Sequence, residues 1–271
     1  METQDLLKLA LVQTDIYWED IPANLAELEE KLDRLKNEAD IIILPEMFST
    51  GFSMRPEKIS EPLNLVTTRW MKQMALATGA LVIGSFAARE GSTYYNRLMA
   101  VFPDGTYGHY DKRHLFRMGK EHEVYTAGNR KLLLTWKGWR ICPLICYDLR
   151  FPVWSRNLSD APYDLLIYVA NWPAARSDAW KTLLKARAIE NLSYVAGVNR
   201  TGDDSSGVAH DGGSAVFDFA GRQLLLLDSK PETAVVTISR QKLSEFHTRF
   251  PAHLDADSFS ITGTDFTVTR C

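Results

Sequence analysis

The sequence predicts an α/β protein with mixed sheets, and three observations carry that prediction. Residues 6–45 read as strand, amphipathic helix, strand, and residues 163–199 repeat that order. Between and after them lie short strands joined by tight turns, a pattern that only antiparallel pairing accommodates. With 271 residues, 45% of them hydrophobic, the chain has material for a substantial core. One domain over residues 1–271 is expected, with a core of about 6–250 and a polar tail over 255–271.

Each element has a local reason. Residues 6–13 alternate and then run apolar, as a strand does when it becomes buried on both faces. Residues 22–36 carry Leu25, Leu28, Leu32 and Leu35 at helical spacing behind Pro22. Residues 39–45 form a short apolar strand stopped by Pro45, so the first two strands should run parallel. A helix over 63–78 is closed by Gly79, and 80–86 is a third strand. A hairpin joins 94–102 to 106–111 around Pro103-Asp104-Gly105.

Residues 112–130 are polar and aperiodic; at that length inside a compact domain such a segment is more often functional than idle. A second hairpin, 131–136 with 139–145, leads into Cys146, a turn and a helix over 152–158. Strand 163–170, a helix over 177–191 with Ser177 as N-cap and Trp180, Leu183, Leu184 and Ile189 inward, and strand 192–199 follow. After a Gly- and Asp-rich loop at 201–213, hairpin 214–227, strand 232–239 and a short helix over 240–247 close the core.

A net charge of -3 and pI near 6.1 give no electrostatic case for nucleic acid or an anionic membrane, so a small-molecule partner is expected. Met1-Glu-Thr-Gln-Asp does not read as a secretory signal, and no apolar run approaches membrane-spanning length; a cytoplasmic protein is expected. Three cysteines, Cys142, Cys146 and Cys271, make no disulfide framework there. Cys142 and Cys146, four apart on a strand, would lie roughly 13 Å apart. His109, His114 and His122 lack a fourth ligand, so neither a metal nor any other cofactor is expected.

Glu46, Lys112 and Cys146 each fall at or just beyond the C-terminal end of a predicted strand, the edge where loops converge in open sheets. Their chemistry is mutually useful. A thiol is only a few per cent ionised near neutrality, so a base and a cation both promote its attack on a carbonyl. Lys112 would stabilise the thiolate and then an oxyanion, while Glu46 would take up the proton and return it to a leaving amine. That combination is acyl transfer.

Leu44-Pro-Glu-Met-Phe-Ser-Thr-Gly51, Tyr110-Asp-Lys-Arg-His-Leu-Phe116 and Leu144-Ile-Cys-Tyr-Asp-Leu-Arg-Phe-Pro152 resemble, in order, the three motif blocks of the nitrilase, or carbon-nitrogen hydrolase, superfamily. Further similarity in Tyr168-Val-Ala-Asn-Trp-Pro173 and Lys185-Ala-Arg-Ala-Ile-Glu-Asn191 brings the match nearest to its omega-amidase branch. The resemblance implies a four-layer α-β-β-α sandwich, commonly paired into a homodimer, with Glu46, Lys112 and Cys146 as catalytic triad. It also implies a second glutamate, Glu121, seven residues before Gly128, with Glu123 as competitor. The Tyr147 backbone N–H would share the oxyanion with Lys112.

The implied reaction removes the terminal amide of 2-oxoglutaramate or 2-oxosuccinamate. A substrate carboxylate calls for an arginine, and Arg117, Arg150 and Arg176 are candidates, with Phe48, Phe116 and Trp172 as apolar walls. The rival readings are a nitrilase, an aliphatic amidase or a carbamoylase on the same triad. Outside enzymes of this kind, they are a silent binding module or a thiol redox sensor using Cys142 and Cys146.

Overall fold

The computed structural model describes residues 4–261 and 269–270, and Cys271 lies outside them. In chain order the elements begin β1 (Leu6–Gln13), α1 (Ile21–Asp33), β2 (Ile41–Ile43), α2 (Pro56–Ile59), α3 (Val66–Thr78), β3 (Leu81–Glu90), β4 (Thr93–Val101) and β5 (Tyr107–Asp111). They continue with α4 (Glu121–Val124), β6 (Leu132–Trp136), β7 (Trp139–Ile145), α5 (Pro152–Ser155), β8 (Leu165–Ala170), α6 (Ser177–Asn191) and β9 (Tyr194–Asn199). Last come β10 (Thr201–Asp203), β11 (Ala209–Asp211), β12 (Ala215–Phe217), β13 (Gln223–Leu226), β14 (Glu232–Ser239), α7 (Arg240–Arg249) and β15 (Thr269–Arg270).

Two mixed sheets result. One runs β14-β1-β2-β3-β4-β5, the other β13-β12-β9-β8-β7-β6-β15, and each has three adjacent parallel strands, β1-β2-β3 and β7-β8-β9. Side-chain alternation sorts the core. Leu7, Leu9, Leu11, Ile41, Ile43, Leu81 and Ile83 share one buried cluster with the second sheet. Their neighbours Ala10, Val12, Ile42 and Val82 join Leu25, Leu28 and Leu32 of α1 and Trp70, Met71 and Met74 of α3. A strand that is apolar at every position is therefore one whose two faces serve two cores. On the far side, Trp180, Leu184 and Ala188 of α6 cover the second sheet, giving helix, sheet, sheet, helix.

The differences from the sequence reading have local causes. The helix after Cys146 stops at Ser155 because the Asn157 side chain bonds both backbone groups of Tyr163, N–H to Oδ1 at 2.9 Å and Nδ2 to the carbonyl at 3.0 Å, fixing a loop instead. Ser177 is the first helical residue of α6 rather than its N-cap, and Arg176 occupies the cap position without a side-chain bond. Ile189, expected inward, is 46% exposed at the end of that helix. The aperiodic segment 112–130 holds a 3-10 turn at Arg117–Gly119 and α4, and the Gly-rich loop holds the β10-β11 hairpin. Within the tail, residues 269–270 pair in parallel with Leu132 and Leu133 of β6.

Candidate active site

Three strand ends supply the site. Glu46 follows β2 and is held by a tight bend in which Met47 takes φ +44°, with its N–H donating to Ser85 Oγ at 2.9 Å. Lys112 is the first residue after β5. Its N–H donates to Asn96 O at 3.0 Å and its carbonyl accepts the Gly128 N–H at 2.9 Å. Gly128 is required here, since a Cβ would stand 2.1 Å from the Asp111 carbonyl oxygen. Cys146 follows β7 and opens a 3-10 turn, Cys146–Arg150, at φ +40°. A non-glycine residue in that left-handed region is strained, as nucleophiles on strand-to-helix turns often are.

The structure brings Glu46, Lys112, Glu121 and Cys146 together. The first three are fully buried and Cys146 is 8% exposed. Lys112 Nζ donates to Glu46 Oε1 at 2.8 Å and to Glu121 Oε1 and Oε2 at 3.1 and 2.9 Å, so its three protons are all committed. Glu46 Oε2 accepts the Asn171 N–H at 2.8 Å, and Glu121 Oε2 accepts the Phe116 N–H at 2.6 Å. Cys146 Sγ lies 3.9 Å from the Asn171 carbonyl oxygen. Glu123, the competitor for second glutamate, is exposed one turn away.

Electrostatics refine the expectation of a lysine-stabilised thiolate. Burial pushes the Cys146 thiol well above its ordinary range, the facing Glu46 pushes it further, and Lys112 only partly opposes them. Burial would lower Lys112, but Glu121 and Glu46 more than compensate and hold it protonated. Burial also raises Glu121, against the pull of Lys112 and the Asn96 hydrogen bond. The resting nucleophile is therefore a thiol beside a carboxylate, and its proton must leave as sulfur attacks.

Above the thiol opens a cavity of about 580 Å³. Phe116, Tyr147, Trp172, Arg150 and Arg176 all line it. Arg150 lies over the Trp172 ring at 4.9 Å and Arg176 over Phe116 at 5.4 Å, and neither pairs with a carboxylate among the described residues. Phe48 and Arg117 are not in the wall. Phe48 is fully buried against Trp70, because the bend after Glu46 turns it toward the helix-side core, and Arg117 points to solvent from its 3-10 turn. The loop carrying Asp204, Ser206, Val208 and His210 forms part of the rim, and Arg55 lines it with its guanidinium already held by Glu19.

Two site residues went unassigned in the sequence. Asn96 Nδ2 bridges Glu46 Oε1 at 2.8 Å and Glu121 Oε1 at 3.0 Å, and Asn171 holds Glu46 through both its backbone N–H and its side chain. The signal for Asn96 was a polar residue heading an apolar strand run, which hairpin logic alone places anywhere. Cys142 does not share the site. It is buried within β7 and burial pushes it up to about 11, which leaves an inert thiol and removes the ground for a two-thiol sensor. Among the described residues no cluster of three or more His, Cys, Asp or Glu could hold a metal, and no helix is long and apolar enough to cross a membrane.

A mixed α/β sandwich with a cysteine, a lysine and a glutamate at its strand ends, and a second glutamate on the short helix α4, defines a hydrolase of carbon–nitrogen bonds. The carbon-nitrogen hydrolase family model matches residues 8–248, and the chain belongs to that family. It is 47% identical over 256 residues to omega-amidase YafV of Escherichia coli (strain K12), covering 94% of this chain and 98% of that one. It is 32% identical to the 2-oxoglutaramate amidase of Bacillus subtilis (strain 168), with 80% and 82% covered. The crystal structure of XC1258 from Xanthomonas campestris, a CN-hydrolase superfamily protein with an arsenic adduct in its active site, superposes with a TM-score of 0.93 at 44% identity over 95% of this chain and all of that one.

Proposed function

We propose that the chain is an omega-amidase that hydrolyses the terminal carboxamide of a short 2-oxo acid such as 2-oxoglutaramate, releasing ammonia. The observation that carries this reading is the pair of guanidiniums, Arg150 and Arg176, which pair with no carboxylate among the described residues and share a cavity with the Cys146 thiol and the Glu46 carboxylate. Such a cavity takes a substrate that is anionic at one end and neutral at the reacting end. The identity to an omega-amidase over nearly the whole chain supports it.

In the proposed cycle Cys146 Sγ bonds to the amide carbon while the thiol proton passes to Glu46. The carbonyl oxygen becomes an oxyanion facing Lys112 and the Tyr147 N–H. Because Lys112 already gives its protons to two carboxylates, it serves the oxyanion by charge and by sharing a proton, not as an idle donor. The C–N bond then breaks, Glu46 returns the proton to nitrogen, and ammonia leaves a thioester. Water attacks the thioester, giving a proton to Glu46; the C–S bond then breaks as Glu46 returns that proton to sulfur, leaving the acid and the free thiol. Glu121 holds Lys112 and, with Asn96, the orientation of Glu46.

The need to keep the nucleophile reduced supports a cytoplasmic location. Apolar Val153 of α5 and Ile189 of α6, 53% and 46% exposed, leave an outer face suited to a homodimer. Ammonia release from 2-oxoglutaramate, measured beside a nitrile and an N-carbamoyl amino acid, tests the function; a preference for either of the latter would replace it. Cys146→Ala should reduce ammonia release at least about 1,000-fold in a folded protein. Activity in that variant would remove the nucleophile.

A further inference from the structure

We propose that Asp148 is a positioning residue that fastens the nucleophile's turn to the strand end carrying the lysine; this rests on reading Cys146 and Lys112 as catalytic. Asp148 is fully buried two residues beyond Cys146. Its Oδ2 accepts the Tyr110 hydroxyl at 2.7 Å and the Ile145 N–H at 3.1 Å. Its Oδ1 accepts the His114 N–H at 3.0 Å and His114 Nδ1 at 2.8 Å. Ile145 immediately precedes the nucleophile, while Tyr110 and His114 stand two residues either side of Lys112. One carboxylate thus ties together the two segments whose separation sets the distance from sulfur to ammonium.

The partners are themselves fixed. The Tyr110 hydroxyl accepts from Trp154 Nε1 at 3.0 Å and from the Arg113 N–H at 3.1 Å, and the His114 ring stacks on Phe151 with centroids 3.7 Å apart. From the other side, Arg187 of α6 donates to the Leu149 carbonyl at 2.6 Å, so the turn is gripped at both flanks. Cys146 at φ +40° needs such restraint, because a strained backbone persists only where its surroundings over-determine it. Asp148, Tyr110 and His114 do not line the cavity, so they act through Cys146 and Lys112 and never meet the substrate. Packing alone would not require a buried carboxylate with four converging donors, since an apolar side chain fills the same space without the desolvation cost.

Asp148→Asn keeps the volume but turns one acceptor oxygen into a donor, which then faces either the Ile145 N–H or the His114 N–H. The expected result is a fall in kcat of about 100-fold with KM within about threefold, in protein that still melts cooperatively. In parallel, the pH dependence of Cys146 alkylation by iodoacetamide, followed by mass spectrometry, should move to lower pH, because burial stays while Glu46, which raises the thiol more than Lys112 lowers it, is displaced. Tyr110→Phe, which removes one donor and keeps the ring, should show the same two changes with a kcat loss of about tenfold, and it decides the matter if Asp148→Asn does not fold. Wild-type kcat, or an unmoved alkylation profile, in these variants overturns the proposal. An active Cys146→Ala would instead overturn the underlying assignment, so the two failures are told apart.

Discussion

Asn96 shows how a single uncharged side chain joins the two carboxylates of a site. Its amide donates to Glu46 and Glu121 at once, and at Glu121 that bond favours the charged carboxylate over the neutral acid. Burial already raises Glu121, and Asn96 is among the groups that restrain it. In Asn96→Leu that restraint is gone and Glu121 keeps its proton to higher pH. The acidic limb of the kcat profile should therefore move to higher pH, and a pH–rate series checks it. The buried Cys142 makes a second residue-level prediction. Burial holds its thiol at about 11, so between pH 9 and 11 the unfolded chain gives up a proton that the folded chain retains, and stability falls as pH rises. Cys142→Ala should remove about 2 to 3 kcal/mol of that alkaline loss, read by denaturant unfolding at pH 8.5 and 11.

At the level of elements, the joint between α6 and β9 is tight and bears on the site. A Cβ on Gly197 would come within 2.5 Å of Leu184 Cδ1 and 2.7 Å of Trp180, and Trp180 lies against Trp172 of the cavity wall at 5.5 Å. Gly197→Ala should cost about 1 to 3 kcal/mol, lowering the melting midpoint by several degrees and raising KM through the displaced wall. The sequence displayed most strands and the main helices because their periodicities are long and clean. Leu25, Leu28 and Leu32 could hardly face anywhere else. It displayed Glu46 and Lys112 because each follows a strand, and Glu121 only through the resemblance of the motif blocks. It hid Phe48, which sits two residues beyond Glu46 yet turns into the helix-side core, since the φ +44° bend at Met47 reverses the alternation that sequence spacing assumes. Asn157 stopped a helix early for a similar reason: its side-chain bonds are invisible until Tyr163 is in place.

The whole molecule is two sheets whose facing sides form one core and whose outer sides each need a helical layer. Val153 and Ile189 leave apolar area on the outside of the second layer, and light scattering should return twice the 30.7 kDa chain mass. Replacing both by Lys should shift the protein toward the single-chain mass. The sandwich also explains how distant groups meet: Glu46 follows β2 of one parallel trio and Cys146 follows β7 of the other, while Lys112 after β5 and Glu121 of α4 join through ion pairs. The committed state of Lys112 bears on how turnover ends. An entering carboxamide carries no charge at its reacting carbon, whereas the acid formed there does, opposite two carboxylates that already occupy the ammonium. Repulsion at that moment drives the newborn anion outward, so product inhibition should be feeble and re-synthesis of the amide from acid and ammonia slow.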